Sequence, residues 1–151
     1  MSLAKRLIPP ALLAATAFFL VPGQAAEPDP KIISYILPDK IPWRIGKNSD
    51  TATLEGDPSK PGVYIQMIRW HAGNTSRPHT HTTDRYIRVI SGTWWMGWGP
   101  KYDPPGMFPV KEGTYVVHHA NQIHYDGAKD EDCVLYIVGT GPLVTTGAEE
   151  K

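Results

Sequence analysis

Short runs of β-branched and aromatic residues, broken every few positions by Gly, Pro, Asn or Asp, dominate the chain from Ile32 onward. Such runs read as strands, because branched and aromatic side chains fit a pleated, half-buried surface and turn residues end it. They predict strands over residues 32–37, 62–70, 86–91, 93–98 and 114–117, around His124, and over 133–139. No long segment repeats its apolar residues with the helical period, so the pattern gives an all-β sandwich or barrel. Residues 56–62 and 99–106 are loops rich in Gly, Pro and Asp. The second is longer than a hairpin needs, and reads either as a lid at a barrel mouth or as a plain surface connection. In the run Trp94-Trp95-Met96-Gly97-Trp98, alternation puts Trp94, Met96 and Trp98 on one face and Trp95 on the other. Filling the barrel is the default role of such residues; a face with two indoles that lined a cavity would instead suit a flat or ring-shaped molecule.

The first residues follow a different pattern. Lys5 and Arg6 precede an apolar stretch over 7–21, and Gly23-Gln24-Ala25 supplies small residues where a signal peptidase would cut. Residues 1–25 therefore read as a secretory signal peptide. The stretch is short and interrupted by Pro9, Pro10 and Pro22, which argues against stable membrane insertion. The expected location is the periplasm or the exterior, with one folded domain over 32–144 and a flexible tail over 145–151. The whole chain of 151 residues, enough for one domain with a core, has 15 basic and 15 acidic residues. The leader takes Lys5 and Arg6 and no acid with it, so the remainder is mildly acidic and nothing suggests nucleic acid as a partner. Cys133 is the one cysteine, so no disulfide forms within the chain; it sits in a strand-like run and reads as a buried thiol or, more sharply, as a copper ligand.

Candidate chemistry lies in the histidines. In His79-Thr80-His81 the two imidazoles are two residues apart on a strand, so both face one way and can converge on one ion. His124, in the run Ile123-His124-Tyr125, is the natural third donor from another strand. Three neutral imidazoles leave positions open for water, oxygen or substrate, which suits chemistry better than a structural clamp.

The order His79, His81, Arg85, Gly92, followed by Gly113 and His124, resembles the two sequence motifs of the cupin family. The resemblance covers about residues 60–140. It implies a cupin-type double-stranded β-helix, a jelly-roll barrel, with one divalent transition metal ion (Fe, Cu, Zn, Ni or Mn) held by His79, His81 and His124. A homodimer is implied by the resemblance alone.

The chain departs from the family pattern where Arg85 stands in place of the usual glutamate ligand. A guanidinium has no lone pair to offer a cation and repels it. Asp84 is adjacent, but would reach the ion only through a bulge, and otherwise orients a histidine or pairs with Arg85. Arg85 either points inward, as the residue that clamps an anionic substrate on the site, or turns outward into a salt bridge. The turn before His124 has His119-Ala120-Asn121 where many cupins have Pro-x-Gly; Asn tolerates the left-handed backbone required there. His118 and His119 are extra imidazoles for the surface, for support of the ligands or for proton transfer. Ala128 falls where the family has an asparagine. Tyr86 and Tyr125 flank motif residues and face away from the cavity by alternation.

Two functions compete on this pattern. One is an exported metalloenzyme acting on a small anionic organic molecule, with oxygenase chemistry favoured because some cupin dioxygenases resemble this site in using three histidines without the glutamate. Isomerase and lyase chemistry stay open, and no general base is named by the sequence. The other is a non-catalytic periplasmic cupin that binds a small ligand or the metal itself. A metal-free structural barrel would require the histidines to be bystanders.

Overall fold

The computed structural model describes residues 27–150. The expected signal peptide therefore lies outside the described residues. Ten strands follow in chain order: β1 (Ser49–Glu55), β2 (Gly62–Trp70), β3 (His79–His81), β4 (Arg85–Ser91), β5 (Thr93–Trp98), β6 (Phe108–Lys111), β7 (Tyr115–His118), β8 (His124–Gly127), β9 (Cys133–Gly141) and β10 (Thr145–Gly147). They form two antiparallel sheets of five, ordered β1-β2-β9-β4-β7 and β10-β3-β8-β5-β6. Among the described residues no helix is long and apolar enough to cross a membrane.

The all-β expectation holds, and the cause is visible in the alternation. Along β4, Arg85, Ile87 and Val89 are buried while Tyr86, Arg88 and Ile90 are exposed; along β9, Cys133, Leu135 and Ile137 are buried. These inner faces meet Tyr64 of β2, Trp94 of β5 and Val110 of β6 in one core shared by both sheets. Gly92 makes the tight β4–β5 turn with φ +76°, and a Cβ there would strike the Asp132 backbone. Burial pushes the Cys133 thiol up to about 12, so it behaves as a small hydrophobe, and it takes no part in the histidine cluster.

Three expectations need correction. Residues 32–37 form no strand: the Ile32 and Ile33 amides turn back to the Asp29 carbonyl, and Ile32 is 79% exposed. Its apolar run misled because β-branched residues specify a strand only where a partner edge exists. The tail over 145–151 is not free of structure, since Thr145–Gly147 pairs with β3 as β10. The two-indole face does not line the cavity at the histidines: Trp94 is in the core, while Trp98 is 74% exposed and borders only a smaller pocket beside Lys101 and Asp103.

The loop over 99–106 is pinned rather than free to close as a lid. Tyr102 hydrogen-bonds Thr75 and lies under the Arg77 guanidinium at 3.8 Å, the Asp103 amide donates to the Tyr125 hydroxyl at 3.2 Å, and Lys129 Nζ donates to the Pro104 carbonyl at 2.9 Å. None of its residues lines the cavity described next.

Candidate metal centre

Pro78, itself fully buried, sets β3 in extended geometry, and the two-residue repeat aims His79 and His81 at the same side. On the neighbouring strand His124 lies directly opposite His79. The turn ahead of β8 is fixed by Asn121 in the left-handed region, φ 61°, whose amide donates to the His81 carbonyl at 2.7 Å. The expected trio therefore comes together: one nitrogen from each of His79, His81 and His124 lies within 4.8 Å of the others. A cavity of about 490 Å³ opens on His79 and His81, lined also by Arg85, Asp126 and Thr145 and by apolar groups including Ile68 and Leu143, with His124 buried behind them.

Hydrogen bonds decide which ring nitrogens face inward. His79 Nδ1 lies 2.8 Å from the Arg77 carbonyl and His124 Nδ1 lies 3.0 Å from the Gln122 carbonyl. A carbonyl only accepts, so the Nδ1 of each ring carries a proton, and the neutral form of either ring presents a bare Nε2. His81 Nε2 receives a hydrogen bond from Arg85 Nη1 at 2.7 Å, so its proton also sits on Nδ1, donated to Thr145 Oγ1 at 2.9 Å. The three inward nitrogens are therefore all acceptors. His79 Nε2 and His81 Nε2 face each other at 3.2 Å, and buried His124 Nε2 has no partner at all. Lone pairs brought together without a donor repel one another, and a cation relieves that repulsion; the donor set fits a divalent transition metal. Burial, then the Arg85 charge and the neighbouring His79 and His124, push His81 down to about 2; burial likewise lowers His124, against the field of Asp126. Both are neutral ligands at neutral pH.

Arg85 points inward. It is 7% exposed, lines the cavity and, among the described residues, has no carboxylate within salt-bridge distance, while its Nε is buried without a partner. Asp84 neither ligates nor pairs with it: Asp84 Oδ1 accepts from the Ala120 amide at 2.7 Å and Oδ2 lies 3.8 Å from exposed His119. A one-residue step along the chain sends neighbours to opposite faces, and no bulge rescues Asp84. Of the two extra imidazoles, His119 is at the surface, whereas His118 is buried with its ring 3.9 Å from that of His124 and 5.1 Å from Trp94. Burial pushes His118 down to about 3, although Asp126 opposes it.

Sequence reading overlooked Asp126. It sits two residues after His124 on the same face, a spacing identical to that of His79 and His81, which is the signal in the sequence that marks it. Its Oδ1 accepts from Ser76 Oγ and its Oδ2 from Trp94 Nε1, each at 3.0 Å. Burial alone would raise its pKa, yet its coupling to His118, His124, His79 and the Arg85 charge carries it below the ordinary value. Asp126 thus supplies the negative charge beside the cluster that the missing glutamate would have supplied within it. Tyr86 and Tyr125 face away from the cavity as expected, and Ala128 is wholly buried in the core.

No family model and no curated protein matches the sequence. Solved structures do match by fold. The polyketide cyclase RemF from Streptomyces resistomycificus superposes with a TM-score of 0.66 at 13% identity, covering 79% of this chain and 87% of its own. A sugar phosphate isomerase of the cupin superfamily from Silicibacter pomeroyi gives 0.60 at 17% identity over 78% of this chain and 83% of its own. A cupin-2 domain protein from Rhodospirillum rubrum gives 0.55 at 13% identity over 72% and 74%. Identities this low establish the fold and nothing finer, and on that ground, together with the two five-stranded sheets, the chain has the cupin fold, an RmlC-like double-stranded β-helix.

Proposed function

We propose that the protein is an exported, metal-dependent cupin enzyme that acts on a small anionic organic molecule in the periplasm or outside the cell. The observation that carries the metal is the convergence of three Nε2 lone pairs, two fixed by backbone carbonyls and none matched by a donor other than Arg85. His79, His81 and His124 would hold the ion. A divalent transition metal there supplies Lewis acidity and, when it is iron or copper, a means of bringing dioxygen to a bound substrate, which is the chemistry favoured here.

The protein's own groups do the rest. Arg85 is a buried cation without a carboxylate partner, and its planar fork suits a carboxylate or enolate; an anion in the cavity would draw it away from His81 Nε2. Ile68 and Leu143 hold the apolar part of the ligand and exclude water. Asp126, an acid held below its ordinary pKa, would steady the charge of an ion held by the three histidines. The solved structures similar in fold include proteins described as a polyketide cyclase and a sugar phosphate isomerase, which agrees with a small-molecule site and leaves the reaction to be tested.

One observation favours a binding protein without catalysis: both oxygens of Asp126, the one carboxylate lining the cavity, are already hydrogen-bonded, so no free carboxylate base is at hand. Oxygen uptake separates the two. Protein loaded in turn with iron, copper and zinc is offered small carboxylic acids and diketones in an oxygen electrode. Uptake above the free-metal rate supports oxygenase chemistry. Saturable binding with neither oxygen uptake nor chemical conversion of the ligand, read by mass spectrometry and NMR of the recovered compound, under any metal supports the binding protein and sinks the enzyme.

A further inference from the structure

The strand expected to be a loose tail lies against the candidate metal centre. β3, which bears His79 and His81, is three residues long and meets β8 only at His79–His124, whereas β10 pairs with all three of its residues. Contacts on either side reinforce that pairing. Thr82 Oγ1 donates to the Pro142 carbonyl at 3.1 Å, and Thr82 Oγ1 also accepts from the Val144 amide at 3.0 Å. Beyond β10, the Ala148 amide donates to the Pro78 carbonyl at 2.9 Å and Glu149 forms a two-point ion pair with Arg77, whose Nε lies 2.8 Å from Oε2. Arg77 is also the residue whose carbonyl orients His79.

Within this strap one side chain touches a ring of the cluster. His79 and His124 are oriented by main-chain carbonyls, which no substitution removes, but the Nδ1 proton of His81 goes to the hydroxyl of Thr145. A hydroxyl can donate as well as accept, so it is the geometry, with Arg85 on Nε2, that makes it an acceptor. We propose that Thr145 is a positioning residue: by accepting the Nδ1 proton it completes, with Arg85 on Nε2, the pair of hydrogen bonds that holds His81 in the one tautomer and rotamer presenting Nε2 to the other two histidines. This rests on the metal reading for its purpose, but the tautomer it dictates exists with or without an ion. Groups that orient a metal-bound imidazole from behind commonly change metal affinity by about 10–100-fold when removed.

The test pairs two readouts on Thr145→Val, which keeps shape and backbone pairing but loses the acceptor, and Thr145→Ser, which keeps it. Long-range proton–nitrogen NMR of the metal-free protein reads the His81 tautomer, and titration with Co²⁺ alone reads the site. The expected result is a bare Nε2 on His81 in the wild type and serine variants, a mixture of tautomers in the valine variant, and Co²⁺ affinity lowered about 10–100-fold by valine and restored by serine. If valine disturbs the strand, Thr145→Ala serves as a second variant without the acceptor. A valine variant with the wild-type tautomer, or a serine variant that fails to recover, overturns the proposal. Should the wild type take up no Co²⁺ while the tautomer responds as described, the metal reading falls and the positioning role stands.

Discussion

The two sheets of this barrel are built differently. In the first, β2 and β9 pair over nine consecutive positions from Gly62–Gly141 to Trp70–Cys133, and their inward residues Tyr64, Leu135 and Ile137 are fully buried. In the second, β3 touches β8 at one position and is completed by a three-residue β10, yet this is where the three histidines stand. The first sheet is held by its ladder and by apolar burial. The histidine strands have shorter ladders, β3 with β10 and β8 with β5, and β3 is reinforced by side-chain contacts at its rim: Thr145 on His81, Thr82 on Val144, Glu149 on Arg77. Stability and chemistry are thus carried by separate regions, and substitutions in one should spare the other.

The largest expected effect is on the histidine side. His81→Ala should abolish metal uptake, read by titration with Co²⁺, while the thermal midpoint of the metal-free protein moves little, because the variant removes a buried polar ring crowded by other lone pairs. The mirror experiment is Ile137→Ala in the first sheet. Truncating a wholly buried aliphatic side chain costs about 2–5 kcal/mol, readable in urea unfolding, but metal bound per folded molecule should not change. If Ile137→Ala loses metal in step with stability, the two regions are not separate.

Arg85 sharpens the comparison, because it reaches from β4 of the first sheet to His81 of the second. Arg85→Gln should weaken binding of small carboxylates by roughly 10–100-fold, the worth of a charged hydrogen bond. Metal affinity in the absence of anion should rise, since a competing cation leaves the His81 lone pair. Isothermal titration of each ligand alone checks the opposite signs.

The smallest effect is at the far rim of the first sheet. Arg69 beside Asp50, with Arg69 Nε 2.9 Å from Oδ2, holds that carboxyl down to about 2, and the Gly46 amide and His71 assist. A depressed acid contributes stability that is present above its unfolded value of about 3.9 and is lost as pH falls toward about 2. His71, raised by its bond to Asp50, contributes in the opposite sense: its share is present below its ordinary value and is lost as pH rises through the raised one. Thermal midpoints followed across pH should show both limbs, and Asp50→Asn should flatten them without altering metal binding.

How much of this was legible in the sequence follows the same division. β2 and β5 fall on the expected residues, and β4, β7 and β9 differ at their ends, because regular apolar alternation marks both the element and its inner face. β1 was missed because Ser49–Glu55 is mostly polar, with Ala52 its one core side chain. β6 was missed because Pro109 argues against a strand, but β6 is an edge strand, where a residue without an amide proton is tolerated. β10 offered only three exposed residues and no alternation. At the site, the two-residue spacing of His79 and His81 was enough to bring the pair together, and distance along the chain was no obstacle to His124. The inward aim of Arg85 was readable too, since it is in phase with Ile87 and Val89, both buried. Thr145 carried no signal, because its role arises wholly from a strand pairing that local sequence does not encode.

The central claim, that His79, His81 and His124 form a metal site, is tested most directly by elemental analysis. Protein purified without a histidine tag is measured by plasma mass spectrometry beside a His79→Ala, His124→Ala double variant. The account predicts close to one equivalent of a single divalent transition metal in the wild type and none in the variant. A wild-type protein that carries no metal and takes up none of iron, copper, zinc, nickel or manganese would contradict it.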